Sequence, residues 1–275
     1  MRATTKWVLA ALGGLTLTAG AVRAQEAQAA PEAAAAPAEE EKAWSLEFGL
    51  DYSTLYMFRG LNLLGEDQEV WTPRVVYTYG GFSAWYYGYY GKFDQFDEEG
   101  NQVSDGDYTE ADFGLDYTFE IGKMSLTLGG LTYMYTGEVE RGLEYLDTWE
   151  LYAIAAFDVP LAPTISYYQD IDEVDGGFLS LDLSHSFPAG DKVSFDFAGQ
   201  IGFDFGYNQP GDSELDIDGT NGDLNHAMLG LDVPWQITDS FSMHAMVQQF
   251  WSLDVADDLE QPDETVFTVG ATFGF

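Results

Sequence analysis

The sequence predicts an all-β protein, a transmembrane antiparallel up-and-down β-barrel of about twelve strands. Three observations carry that expectation. Apolar and polar residues alternate with a period of two from Trp44 onward, connectors alternate between short and long, and aromatic residues gather at segment ends. Successive side chains in a strand point to opposite faces, so a period of two gives each face its own chemistry.

The alternation is clearest over residues 193–205. Val193, Phe195, Phe197, Ile201, Phe203 and Phe205 share one parity, while Ser194, Asp196, Gln200 and Asp204 share the other. Phe113, Leu115, Tyr117 and Phe119 likewise oppose Glu110, Asp112, Asp116 and Thr118. Leu179, Leu181 and Leu183 oppose Ser180, Asp182 and Ser184, and Leu229, Leu231 and Val233 oppose Gly230 and Asp232. Twelve segments follow this rule: 44–57, 70–79, 82–91, 108–119, 124–135, 148–158, 163–169, 177–187, 192–205, 224–235, 241–251 and 264–275. In 82–91 and 124–135, Tyr and Leu fall on both parities, so the pattern there is weakest.

The connectors assign the class. Gly80-Gly81, Glu120 to Lys123, Val159 to Ala162, Pro188 to Asp191 and Gln236 to Ser240 are short. The longer, mostly acidic ones are 58–69, 92–107, 136–147, 170–176, 206–223 and 252–263. Strict alternation of short turns and long loops is the habit of outer-membrane barrels, and an even strand number puts both termini on the turn side. Trp71, Trp149, Trp251, Tyr56 and Tyr167 are expected near the loop ends. Phe82, Phe119, Phe157, Phe187, Trp235, Phe241 and Phe275 are expected near the turn ends. Two aromatic belts suit a bilayer with two interfaces, whereas a soluble sandwich or closed barrel explains the alternation alone.

Composition narrows the function. Cys is absent, which excludes disulfides, thiol nucleophiles and thiolate metal sites. The chain carries 47 acids against 10 bases, a formal charge of −37, and such a chain has no means of neutralising nucleic-acid phosphates. Aromatics at 16% argue against an acidic disordered chain. Residues 1–24 read as a secretory signal peptide: Arg2 and Lys6, an apolar stretch from Trp7 to Ala21, and small Val22 and Ala24 before a cleavage point at Gln25. Residues 25–43, rich in Ala, Glu and Pro, read as a periplasmic spacer, and 44–275 as the barrel. The expected location is the bacterial outer membrane.

The stretch 50–60 contains Tyr56, Phe58, Arg59 and Gly60, with Pro73 following on the second strand. This resembles the opening of the TorF-like porin family, where a first strand ends in Tyr-x-Phe/Trp-Arg-Gly. The specific match covers about a tenth of the chain. The resemblance implies an outer-membrane barrel acting as a channel.

The lumen-facing parity carries Glu47, Asp51, Arg74, Glu110, Asp112, Asp116, Glu150, Asp182, Asp196, Asp204 and Asp232. A wall of one charge sign, bounded by a low-dielectric shell, enriches counter-ions, so cation preference is expected. The competing reading makes these acids hydrogen-bond partners in a narrow, plugged barrel. Inward glycines at 49, 114, 202, 230, 270 and 274 leave room for water. Arg59 is the constriction candidate, folding inward against the acidic wall, with strand capping or pairing with a neighbouring carboxylate as the alternative. Asp216, Asp218, Asn221 and Asp223 offer oxygen ligands for a divalent cation but lack the closing Glu of an EF-hand. No other cofactor is expected.

The leading functional expectation is a porin for small cationic or neutral solutes. Its expected partners are outer-membrane lipid and lipopolysaccharide, those solutes, and the barrel-assembly machinery through Phe275. A non-conducting structural or binding barrel using acidic loops is the alternative. A barrel lipase is the third, resting on His226 with no Ser beside it and no hydrolase motif; catalysis is not expected.

Overall fold

The computed structural model describes residues 44–65, 68–96, 102–135, 147–208 and 223–275. The expected signal peptide and spacer, and Asp216, Asp218 and Asn221 of the candidate cation loop, lie outside them.

Alternation produces fourteen strands: β1 (Trp44–Ser53), β2 (Met57–Phe58), β3 (Leu61–Asn62), β4 (Val70–Tyr79), β5 (Phe82–Phe96), β6 (Gln102–Ile121), β7 (Met124–Tyr135), β8 (Thr148–Phe157), β9 (Thr164–Asp170), β10 (Gly177–Pro188), β11 (Ser194–Phe205), β12 (Asp223–Thr238), β13 (Phe241–Ser252) and β14 (Glu264–Gly274). A short helix, α1 (Asp254–Asp258), precedes β14. All except β2 and β3 form one closed antiparallel barrel in chain order, twelve strands in all. β1 closes the ring between β14 and β4, with Phe48 opposite Phe273 on one side and Val75 on the other. Closure pairs the backbone groups of every strand, the requirement for crossing hydrocarbon.

Two of the short turns are built on glycine. Gly80 and Gly122 take φ of +57° and +66°, left-handed values that glycine adopts without a side-chain penalty. The largest differences from expectation lie at the loop side. β1 ends at Ser53 rather than 57, because the chain there turns into the barrel. β5 and β6 extend to Phe96 and from Gln102, so much of the expected 92–107 loop is a paired ladder with Lys92 opposite Asp107. The 252–263 loop contains α1, which buries Val255 and Ala256.

The apolar parity faces outward. Phe48, Leu50, Phe113, Leu115, Leu151, Leu183, Phe197, Leu229 and Phe267 are all exposed on the outer wall. Such a continuous apolar exterior has no place in water; in a bilayer it meets acyl chains. Trp71, Trp149, Trp251 and Tyr167 ring the loop-side end, and Phe82, Phe119, Phe187, Trp235 and Phe275 ring the turn-side end. Tyr56 is the exception to the expected belts: it lies inside the barrel and is 3% exposed.

Leu115, between the two belts of β6 and 58% exposed, tests this orientation. Leu115→Arg is expected to cost about 2–4 kcal/mol of folding stability in lipid vesicles. Leu161→Arg, in the exposed β8–β9 turn, is expected to change stability by about 0.5 kcal/mol or less. Urea titration followed by tryptophan fluorescence reads both.

Candidate functional site in the barrel lumen

The polar parity faces the lumen, and each acid there has its own surroundings. Near the turn side, Asp51 pairs with Arg74, which also donates to Thr272 Oγ1 at 2.6 Å and lies 3.6 Å from Glu47. His244 sits between two carboxylates, 3.1 Å from Asp51 through Nε2 and 3.1 Å from Asp232 through Nδ1. Asp116 accepts from the Tyr152 hydroxyl at 2.9 Å and from Trp85 Nε1 at 3.2 Å. Asp196 accepts from Ser186, and Asp182 from Ser180 and Gln200. Glu47 and Asp232 keep about a third of their side chains exposed, at 32% and 31%, so this end is a wetted vestibule.

The loop-side half is different. Glu110 and Asp112 are fully buried, Glu150 is 1% exposed and Asp204 3%. These acids lie in a packed interior, where the connector between β1 and β4 reaches Glu110 and Glu150. After Ser53 the chain is pinned by reciprocal bonds between Thr54 and Phe267, then forms the two-residue ribbon β2–β3. Its tip is Arg59-Gly60, with φ of +45° and +84°, the pair of left-handed values that a two-residue hairpin turn demands. Gly60 lies so close to His226 that a Cβ there would overlap the imidazole.

The ribbon touches both walls. Leu55 and Met57 pack on Met228, Phe250 and Val266. Tyr56 stacks on Tyr89 at 4.6 Å and donates to Glu110 at 3.0 Å. Asn62 N donates to Gln261 Oε1, tying the ribbon to the segment after α1, and Asn225 Nδ2 donates to the Arg59 carbonyl. Arg59 crosses to β8 and grips Glu150 with two parallel bonds of 2.9 and 2.8 Å, while Tyr133 donates to the same carboxylate at 2.9 Å. The guanidinium lies 3.9 Å from the Tyr207 ring centroid, 4.7 Å from Phe58, 4.8 Å from Tyr168 and 5.1 Å from Phe178. Asp204 accepts from the backbone N–H groups of Tyr207 and Asn208 and so fixes Tyr207 over the guanidinium. Burial pushes the Tyr207 hydroxyl well above the ordinary phenol range, so it stays neutral there.

The inward glycines do not simply leave space for water, as expected from their size. A Cβ at Gly49 would overlap the Arg74 guanidinium, at Gly114 the Trp85 indole, at Gly202 His226, and at Gly270 both Asp51 and His244. They are cradles in which a neighbour's large side chain lies flat; Gly274 alone of the six meets nothing within 4 Å. The doubtful parity of β5 and β7 has the same origin. Trp85, Tyr87, Tyr89, Leu131 and Tyr133 point inward and join the cluster that includes Tyr56 and Phe58, while Tyr90 and Leu128 point outward. His226 also faces inward, 1% exposed and 2.8 Å from Gln200, away from the outer surface that a lipid hydrolase would need. Asp223, at the start of β12, is the one candidate cation ligand within the described residues, among which no cluster of metal-ligating side chains occurs.

Removing one partner of the buried pair is the sharpest test of this packing. Glu150→Ala leaves the Arg59 charge uncompensated and is expected to cost about 3–5 kcal/mol of stability. The double exchange Arg59→Met with Glu150→Leu is expected to lose clearly less than the sum of its single changes. Urea unfolding in detergent micelles measures the cycle.

Several solved structures share this architecture. A KdgM porin in complex with disordered oligogalacturonate superposes with a TM-score of 0.50 at 8% identity, over 84% of this chain and 99% of that one. The NanC porin superposes with a TM-score of 0.50 at 10% identity, over 83% and 98%. An outer-membrane channel from Pseudomonas putida F1 does so with a TM-score of 0.50 at 9% identity, over 89% and 100%. At such identities the likeness is one of fold. No family model and no curated protein sequence matches the chain, so the TorF-like resemblance rests on its own residues. The chain has the fold of outer-membrane porin barrels: a closed ring of twelve antiparallel strands.

Proposed function

We propose that the protein is a channel of the bacterial outer membrane, passing small cationic or neutral solutes through an acidic lumen that the β1–β4 connector narrows at the loop side. The turns would face the periplasm and the loops the exterior, with lipopolysaccharide around the outer rim. The observation that carries the reading is the turn-side vestibule. Glu47, Asp51, Asp116, Asp196 and Asp232 face inward there, opposed by Arg74 and His244, while Arg59 lies apart on Glu150. A net negative vestibule inside an apolar shell concentrates cations. The porin barrels of like fold are consistent with this reading. Recognition by the barrel-assembly machinery through Phe275, packed 6.1 Å from both Phe48 and Phe273, belongs to the same proposal. So does membership of a TorF-like family.

A second reading, a non-conducting structural or binding barrel, is favoured by the full burial of the inward acids Glu110 and Asp112. Planar-bilayer recordings separate the two. The channel reading expects small conductance steps and, in a KCl gradient, a reversal potential of the sign set by potassium. The pair Glu47→Gln and Asp232→Asn is expected to move that potential toward zero. Arg59→Asn, which keeps a residue tolerant of the left-handed turn, is expected to enlarge the steps severalfold. Silence from both the native protein and Arg59→Asn contradicts the channel and leaves the second reading.

A further inference from the structure

Two arginines point into the lumen among the described residues, Arg59 and Arg74, and they are held in unlike ways. Arg74 is met by carboxylates and a hydroxyl on β1 and β14, on its own side of the wall. Arg59 reaches across the lumen into a pocket prepared on the far wall. One carboxylate accepts its two parallel N–H bonds, and four rings lie 3.9–5.1 Å from its central carbon. Three of those rings, Tyr168, Phe178 and Tyr207, belong to the wall and its loop rather than to the ribbon. Aromatic faces around a cation, with a carboxylate at one edge, are the recognition chemistry of guanidinium and alkylammonium groups.

The pocket also needs a cation. The Glu150 side chain is 0% exposed, and a buried carboxylate without a counter-charge is strongly unfavourable. If the ribbon withdraws, the charge that Arg59 supplied must come from elsewhere. We infer that Glu150, Tyr133, Tyr168, Phe178 and Tyr207 form a binding site for the guanidinium or alkylammonium head of a small organic cation, and that Arg59 is a tethered occupant of that site. The inference rests on the channel reading for its setting and names the solute class: organic cations would compete with Arg59 for the pocket, then pass to the acidic vestibule.

The test vacates the pocket and offers it a free ligand. Arg59→Asn, and Arg59→Gly as a second variant suited to the positive φ, are titrated with n-propylguanidinium by calorimetry in detergent micelles. Heat-modifiable gel mobility identifies folded barrels. Saturable binding is expected in both, weakened about tenfold or more by adding Glu150→Gln or Tyr207→Leu. Sodium at equal ionic strength is expected not to substitute, and the native protein to bind far more weakly because Arg59 competes. Folded Arg59→Asn or Arg59→Gly that binds no better than the native protein overturns the inference and makes the pocket a latch for the ribbon. So does binding insensitive to Glu150 and Tyr207. Because calorimetry needs no current, binding in a silent barrel would leave the site standing while the channel reading fell. Conduction without binding would do the reverse.

Discussion

The demand that every backbone polar group be paired inside hydrocarbon governs this structure. Water cannot satisfy an N–H or C=O at that depth, so strands cross only as a closed ring. β1 meets β14 and β4 and leaves no edge. Once the ring is closed, the pleat dictates the rest. One parity must be oily, as with Phe113, Leu115 and Tyr117, and the other is sheltered from lipid and free to be acidic. Among the described residues, inward acids such as Asp51, Asp116, Glu150 and Asp182 face hydrogen-bond donors, which helps the barrel to tolerate its excess of acid over base.

The interior is then divided along its height. At the turn side, Arg74 and His244 thread between Glu47, Asp51 and Asp232 and leave part of each acid wet. At the loop side, a ribbon of four paired residues is held inside the barrel by apolar contacts on β12–β14 and a charge clamp on β8. The clamp is costly in isolation, since both charges are buried. It holds because two parallel bonds, the Tyr133 hydroxyl and several ring faces replace the lost water. Glycines on the lumen face make that density attainable by letting Trp85, His226 and Arg74 lie flat against neighbouring strands.

Most of the barrel was legible in the residues because a bilayer imposes a rule that repeats along the whole chain. The segments 70–79 and 124–135 coincide with β4 and β7, and the inward parity of Glu110, Asp112, Asp116, Asp182, Asp196 and Asp204 follows from alternation. The ribbon was not legible. Two strands of two residues are too short to show a period, and Arg59-Gly60 lacks the Asn or Asp that usually marks such a turn. For the same reason Tyr56 reads as belt when its hydroxyl is spent on Glu110 inside the barrel. The mixed parity of β5 was itself a signal: Tyr87 and Tyr89 crowd the inner face because something apolar packs there. The far-wall pocket for Arg59 draws Tyr133, Glu150, Tyr168, Phe178 and Tyr207 from distant parts of the chain, which only the barrel brings together.

The most direct measurement of the central claim uses the tryptophans as depth and side markers. Variants retaining a single tryptophan are refolded into vesicles containing lipids brominated on their acyl chains. Emission from Trp149 or Trp235, which project from the outer wall at opposite ends, should be strongly quenched. Emission from Trp85, held against Asp116 and Tyr152 inside the barrel, should survive nearly unchanged. Quenching of Trp85, or bright emission from both outer residues, would mean that the oily parity does not face lipid.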